Sequence, residues 1–168
     1  MGYFIDNEQP WRDLKLFEGE KDKPFRFEWE KMIVEKYKDF HTLNKIWNSS
    51  FSNWEDVRNI SNEAIIDNKK IKIDADKFED HYANRYFLLI SSTLKKYDPN
   101  HLYLGCRFTR RPPRKEIVEI AGKYCDVISL NVYSLVPARE EMELWYNMSG
   151  KPLLIGEHHL PLKSEKTA

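Results

Sequence analysis

The sequence predicts an α/β protein in which four parallel strands alternate with helices. Four short apolar runs are spaced along the chain, at residues 3–8, 102–107, 127–133 and 152–157. Strands that are buried on both faces read as continuous apolar runs of this kind, which are typical of parallel sheets. Each run ends at a polar residue, and helical patterns separate one run from the next. This alternation is typical of βαβ units.

A long segment with helical character separates the first strand from the second. Apolar residues between 28 and 47 recur at the spacing of one helix face, which predicts a helix. Residues 52–55 have the Ser-x-x-Glu pattern of a capping box and predict a short helix that begins at the serine. Residues 60–75 are polar and irregular and are expected to form a surface excursion. A further helix is expected to begin at about Asp76 and to end before Pro99,.

Two shorter helices complete the second half of the chain. Pro112 and Pro113 open a helix over residues 114–123, since proline is favoured at the first helical position,. A helix that follows Pro137 is expected to end at Gly150, which occupies the place of a glycine C-cap,.

The composition excludes some classes of partner and favours another. The chain carries 27 basic and 27 acidic residues, so its formal net charge is zero. A balanced chain offers no strong field for a polyanion, and we expect neither a nucleic acid nor a membrane partner. Aromatic residues make up 14% of the chain, which favours a carbohydrate cleft, with ordinary core packing as the alternative for each ring,.

No cofactor or metal is expected. The chain has no Gly-rich phosphate turn, and this also argues against a doubly wound nucleotide-binding sheet. His158 and His159 are adjacent, but no third ligand follows at a known metal-binding spacing,. The first residues lead directly into a predicted strand, so no signal peptide is expected, and the compartment stays undetermined.

Two glutamates mark the ends of the first and last strands. Glu8 closes the first apolar run and Glu157 closes the last. The C-terminal ends of parallel strands face the ligand crevice of an α/β sheet, and a (β/α)8 barrel draws its catalytic groups from several such ends. The sequence therefore predicts part of a (β/α)8 barrel, with a doubly wound sheet as the alternative.

Two carboxylates in one crevice favour cleavage of a glycosidic bond. Retaining enzymes place them about 5–5.5 Å apart, and inverting enzymes about 6.5–9.5 Å apart. Asn7, beside Glu8, is expected to hold a sugar hydroxyl, and Tyr133 is expected to hydrogen-bond the nucleophile. Arg107 is expected to hold a carboxylate or a sugar hydroxyl, with an ion pair at the sheet rim as the alternative. A structural role for either glutamate stays open at this point.

Several segments resemble those of a known group of enzymes. Residues 6–8, 129–133 and 154–157 are similar to the fourth, sixth and seventh strands of clan A glycoside hydrolases. Within that clan the resemblance is closest to β-agarases and related β-galactosidase-like enzymes, whose acid/base strand is followed by a stretch similar to residues 43–55. The resemblance extends to about Glu157.

The resemblance implies a mechanism and a substrate class. Glu8 would be the acid/base and Glu157 the nucleophile of a retaining glycoside hydrolase. The substrate would be a β-linked, galactose-containing oligo- or polysaccharide. The residues expected to bind it are Asn7, Trp11 (as a sugar platform), Arg107, Asn131, Tyr133 and His158.

The resemblance covers only the fourth to seventh strands of a barrel. A complete barrel has eight strands and about 250 residues. Residues 1–168 are therefore expected to form a single partial catalytic domain, the back half of a barrel, with two open sheet edges. A second copy of the chain or the missing barrel half is expected to cover those edges. The alternatives are an inactive remnant or sugar-binding half-barrel that packs with a partner chain, and an unrelated α/β protein with coincidental glutamates.

Overall fold

The structure is a computed structural model that describes residues 2–11, 16–18 and 20–159. The chain divides into two compact units, and each is described separately. Unit 1 consists of Met1–Asp13 together with Tyr82–Ala168, and unit 2 consists of Leu14–His81. Within the described residues, no helix is both long enough and apolar enough to cross a membrane.

The fold class is α/β, as predicted, with seven helices and five short strands in the described residues. The strands are β1 (Gly2–Tyr3), β2 (Leu102–Tyr103), β3 (Phe108–Thr109), β4 (Ile128–Val132) and β5 (Leu153–His158). The helices are α1 (Pro24–Tyr37), α2 (Phe40–Trp47), α3 (Trp54–Arg58), α4 (Asn62–Asp67), α5 (Lys69–Tyr97), α6 (Lys115–Tyr124) and α7 (Arg139–Ser149). All strand pairs are parallel: β1 pairs with β2, and a second sheet has the order β3-β4-β5.

The predicted second strand is wrong as a continuous element. β2 ends at Tyr103, and the chain then turns through Gly105 and Arg107, whose φ angles are 82° and 47°. These left-handed conformations interrupt the extended backbone. The chain resumes as β3, which pairs with β4 and was not predicted. β4 and β5 agree with the apolar runs to within one residue at each end, whereas β1 shares only Tyr3 with the predicted run 3–8.

The helices before β2 differ from the prediction at three places. Residues 28–47 form two helices rather than one, because Lys38 adopts a φ of 65° and Asp39 then caps α2 by accepting from Thr42 N. The short helix α3 is capped by Asn53 rather than by the serine before it. Residues 60–75 are helical rather than irregular. Ser61 caps α4, and Asn68 accepts from two backbone N–H groups at the start of α5.

Unit 2 is a helical unit built around buried tryptophans and a buried carboxylate. Trp29 and Trp47 stack with ring centroids 6.0 Å apart. Asp74 accepts hydrogen bonds from Tyr37 Oη at 2.5 Å and from Trp47 Nε1 at 2.9 Å, and it also pairs with Lys36. The carboxylate is therefore fully partnered, which a buried charge requires.

Unit 1 carries both sheets, and β4 lies at the centre of its three-stranded sheet. All five residues of β4 are buried. Gly122 of α6 lies against the backbone of Ser149 of α7, where a side chain would clash with the carbonyl group. Gly150 ends α7 in the left-handed conformation, which confirms the predicted cap. Helices α6 and α7 thus pack closely in unit 1, and the C-terminal part of β4 carries the buried Asn131.

Candidate active site

Four polar side chains from three separate segments meet at the end of β4. The amide nitrogen of Asn131, Nδ2, lies 2.9 Å from Glu8 Oε1 and 3.0 Å from Glu157 Oε2. It also lies 3.1 Å from Asn7 Oδ1. Because both carboxylates reach the same nitrogen atom, these two oxygens are at most about 6 Å apart, a limit compatible with the spacing of about 5–5.5 Å in retaining glycosidases,. The structure thus brings together the two glutamates that the sequence singled out.

A β-bulge in β5 brings Glu157 to this position. The pairing with β4 matches Leu130 with Ile155 and then Asn131 with Glu157, so Gly156 is passed over. A bulge inserts one residue and changes the face to which the following side chains point. A Cβ atom on Gly156 would lie 3.0 Å from Arg107 Cδ and 3.4 Å from Phe4 Cε1, so glycine suits this close approach.

The segment that carries Glu8 is a tight turn rather than a continuation of β1. Asp6 and Glu8 have positive φ angles of 65° and 50°, which are uncommon for residues with a side chain,. Backbone and side-chain hydrogen bonds hold the turn. Glu8 N donates to the carbonyl oxygens of Cys106 and Arg107, and Tyr86 Oη donates to Asp6 Oδ2 at 2.6 Å.

Tyr133 and Arg107 lie beside the two glutamates. Tyr133 Oη is 3.4 Å from Glu8 Oε1. Desolvation raises the pKa of Tyr133, and a hydrogen bond with Glu157 and the negative charge of Glu8 raise it further, so the phenol stays protonated. Arg107 Nη1 lies 3.7 Å from Glu157 Oε2, and its guanidinium lies 5.4 Å from the centroid of the Phe4 ring.

The prediction of Trp11 as a sugar platform is wrong in this structure. The side chain is only 4% exposed and stacks on Phe87, with ring centroids 5.4 Å apart. Its Nε1 donates to the sulfur of Cys106 at 3.4 Å. A platform needs an open ring face, and here the hydrophobic effect has placed the ring in the core of unit 1.

The remaining predicted substrate residues have distinct environments. Asn131 contacts the glutamates directly, and it is 1% exposed. His158 lies at the end of β5, where its Nε2 is 2.9 Å from the carbonyl oxygen of Ser134. A contact between His158 and substrate stays a prediction.

An open cleft of about 530 Å³ adjoins Glu8 and Asn131, and part of its wall was not predicted. It is lined by Glu8, Gln9, Pro10, Thr109, Arg110, Arg111, Asn131 and Tyr133. Arg110 is held by Glu141 through two hydrogen bonds of 2.6 and 2.7 Å, which raise the pKa of the arginine and lower that of the glutamate. Arg110 and Arg111 directly follow β3, and a position after a strand end could have identified them as part of the cleft. With only two residues, however, β3 is too short to be recognised from the sequence.

Among the described residues, no group of three or more His, Cys, Asp or Glu side chains is placed to hold a metal ion. Cys106 and Cys125 are free and buried. Burial raises the pKa of the Cys106 thiol to about 12, so it is not a nucleophile at neutral pH,.

Comparisons with known proteins agree with these features. β-Agarase B of Vibrio sp. (strain JT0107) is 29% identical over 176 residues, which cover 95% of this chain and 18% of the agarase. The structure of an exo-β-agarase matches 94% of this chain and 23% of its own, with 30% identity and a TM-score of 0.79. The structure of PfGH50B matches 95% of this chain and 25% of its own, with 32% identity and a TM-score of 0.78. The chain thus spans less than a fifth of the length of that curated relative.

A family model matches most of the chain. It is Glyco_hydro_42, described as β-galactosidase, and it covers residues 1–153. This match and the agarase relatives confirm the resemblance predicted from the strand ends. The chain belongs to the glycoside hydrolase 42 family, the β-galactosidase family.

Proposed function

We propose that this chain carries the two catalytic carboxylates of a retaining glycoside hydrolase, with Glu157 as the nucleophile and Glu8 as the acid/base. The observation that supports this most directly is that one amide nitrogen, Asn131 Nδ2, lies within hydrogen-bond distance of both carboxylates. The resulting upper limit of about 6 Å between the oxygens is compatible with direct attack and leaves little room for the water molecule of an inverting mechanism.

The proposed reaction has two steps. Glu157 attacks the anomeric carbon while protonated Glu8 gives its hydrogen to the leaving oxygen, so the glycosidic bond breaks and a glycosyl-enzyme ester forms. Glu8, now ionised, then removes a proton from a water molecule that attacks the same carbon and releases Glu157. Tyr133 and Arg107 lie close enough to stabilise charge on the carboxylates during both steps.

The proposed substrate is a β-linked, galactose-containing oligo- or polysaccharide. The family description and the agarase relatives support this class. The cleft volume of about 530 Å³ lies within the usual range of roughly 300–1,000 Å³ for small-ligand sites,. Tyr133 is 50% exposed beside the glutamates, and it replaces Trp11 as the aromatic surface available to a sugar ring.

We further propose that residues 1–168 form part of one (β/α)8 catalytic domain. Within the described residues β1 pairs only with β2, and β5 pairs only with β4, so each of these strands has an open edge. Leu154 and Ile155 are consecutive in β5, so their side chains point to opposite faces of the sheet. Both are 38% exposed, so each face of β5 exposes an apolar side chain. A strand with exposed apolar residues on both faces is suited to burial by further strands and helices of the domain or by a second copy.

The test compares hydrolysis by the chain and by glutamate variants on agarose and on aryl β-galactosides. Glu8→Gln and Glu157→Gln are expected to lower kcat at least about 100-fold, because each removes a group that takes part in bond breaking. Glu140→Gln, an exposed glutamate in the first turn of α7, is the matched control and should retain activity. The first sugar anomer observed by NMR should be β. Full activity in both glutamine variants, or an α product, would overturn the proposal.

A chain that binds these saccharides without hydrolysing them would instead support the non-catalytic alternative. Calorimetric titration with agarose oligosaccharides separates this outcome from a chain that does not recognise the sugar.

A further inference from the structure

The amide nitrogen of Asn131 has more acceptors around it than it can serve at once. An asparagine NH₂ group carries two hydrogens. Three oxygen atoms lie within hydrogen-bond distance of it, namely Asn7 Oδ1, Glu8 Oε1 and Glu157 Oε2. By contrast, the amide oxygen of the same side chain is buried and has no hydrogen-bond partner among the described residues. The side chain is thus fully committed as a donor and unused as an acceptor.

The two carboxylates determine this orientation. If the amide were rotated by half a turn, its oxygen would face two carboxylate oxygens, and the repulsion would be unfavourable. Hydrogen bonds from a neutral N–H to an ionised carboxylate are stronger than those between neutral groups. Leaving one buried acceptor unpaired is unfavourable, so the observed orientation is best explained by its bonds to Glu8 and Glu157.

Asn131 cannot move away from this position easily. It is 1% exposed and lies in β4, the central strand of its sheet, in which every residue is buried. Glu8 reaches it from the turn after β1, and Glu157 reaches it from β5. The fixed side chain therefore lies between two carboxylates that belong to different segments.

The bulge at Gly156 is the backbone feature that makes this contact possible. With regular pairing after Leu130 and Ile155, Asn131 would be opposite Gly156 and Glu157 would be opposite Val132. Since side chains alternate between the two faces of a sheet, Glu157 would then point to the other face from Asn131. The extra residue restores the two side chains to the same face.

We infer that Asn131 is a positioning residue that holds Glu8 and Glu157 together through a single amide group, at a separation that suits double displacement. The inference rests on the proposed roles of the two glutamates, and it replaces the predicted role of Asn131 as a substrate ligand. When both N–H hydrogens serve the carboxylates, Asn7 Oδ1 is left free to accept a hydrogen bond from a sugar hydroxyl.

The contact is tested without reference to activity by NMR of the ¹⁵N-labelled chain. The two side-chain N–H cross-peaks of Asn131 are assigned by their loss in Asn131→Asp. Glu8→Gln and Glu157→Gln are each expected to shift these cross-peaks, because each replaces a carboxyl group that accepts from the same NH₂ group with an amide. Glu140→Gln should leave them unchanged. Cross-peaks that respond to neither or to only one of the two active-site substitutions would overturn the inference.

Kinetic measurements separate this inference from the proposed function. Asn131→Leu is close to the natural side chain in size but has no N–H group. In an active chain it should lower kcat about 100-fold with little change in KM, since small misplacements of reacting groups have effects of this size. An unchanged kcat would overturn the positioning role. If the unsubstituted chain hydrolyses none of the substrates, the proposed function fails, while the NMR comparison still decides whether Asn131 bridges the glutamates.

Discussion

Tyr86 donates a hydrogen bond to Asp6 across 2.6 Å and thereby connects α5 to the turn that carries Glu8. Asp6 has a φ of 65° and Glu8 a φ of 50°, so the turn needs interactions from outside to maintain it,. Burial raises the pKa of Tyr86 far above its usual value, and the bond to Asp6 raises it further. The phenol therefore remains a donor throughout the neutral range.

Tyr86→Phe is expected to destabilise the protein by about 1 kcal/mol, because it removes this hydrogen bond without changing the ring packing. It should also lower kcat, since the turn that holds Glu8 loses one of the hydrogen bonds that position it. Tyr82→Phe on the same helix is the control: the Tyr82 ring is partly exposed, and its hydroxyl is not among the bonds that hold the turn. Urea unfolding and a galactoside assay measure both effects. Equal behaviour of the two variants would contradict the anchoring role.

Two glycines offer a matched test of the bulge. Gly156→Ala would place a Cβ 3.0 Å from Arg107 Cδ, so Arg107 must move and its ion pair with Glu157 is disturbed. We expect turnover to fall roughly 10- to 100-fold. Gly150→Ala adds a Cβ to a residue at φ 63° with open space around it. It should cost about 1 kcal/mol of folding stability through backbone strain and leave turnover unchanged. The bulge argument fails if turnover responds in the same way to both.

The Arg110–Glu141 pair predicts a pH-dependent contribution to stability. The hydrogen bond and charge of Arg110 lower the pKa of Glu141 from 4.5. The folded protein therefore binds this proton less readily than the unfolded chain, and stability gained above pH 4.5 is lost as the pH falls through the lower value. Arg110→Gln should reduce the urea midpoint modestly at pH 7 and have no effect once Glu141 is protonated in both states. A difference that persists unchanged at acid pH would contradict this.

Substitution of Asp74 is expected to cause a larger loss of folding stability, in unit 2. Its carboxylate accepts from Tyr37 and Trp47 and pairs with Lys36. Asp74→Asn would place an NH₂ group against these donors, and we expect a loss of about 3 kcal/mol, typical of a broken buried network. Asp67→Asn at the exposed end of α4 is the control and should change stability little. Urea unfolding followed by tryptophan fluorescence measures the difference, and a loss no greater than in the control would show that the network is not stabilising.

The sequence could predict the elements whose apolar residues are buried in a regular pattern. The apolar runs before Asn131 and Glu157 placed β4 and β5 to within one residue, because parallel strands in a core show this pattern,. The run before Glu8 also indicated a strand, but β1 is only Gly2–Tyr3. The same reasoning placed Gly150 at the end of α7, since a glycine there adopts the left-handed conformation at little cost.

The features it missed depend on tertiary contacts. Asp6, Glu8 and Arg107 adopt left-handed backbone conformations that neighbouring segments impose. Their residue types alone do not predict a positive φ angle. The bulge at Gly156 depends on the register with β4. Trp11 follows the predicted first strand, the position expected for a sugar platform, but its ring is buried and stacks on Phe87. Residues 60–75 are helical because Ser61 and Asn68 cap the two helices and because Ile65 and Ile71 are buried in the core of unit 2.

Unit 1 is built from two stretches of the chain that are separated in sequence by unit 2, and this affects which parts of the sequence can change independently. Asn7 and Glu8 belong to the first stretch, whereas Asn131 and Glu157 belong to the second. Residues 14–81 thus have the topology of a module inserted into a gene segment that encodes the catalytic groups. Such a module can diverge or be exchanged in a chimera without altering any residue of the acidic pair. Because α5 runs through the boundary at residues 81 and 82, the replacement must return the chain as a helix that still presents Tyr86 to Asp6.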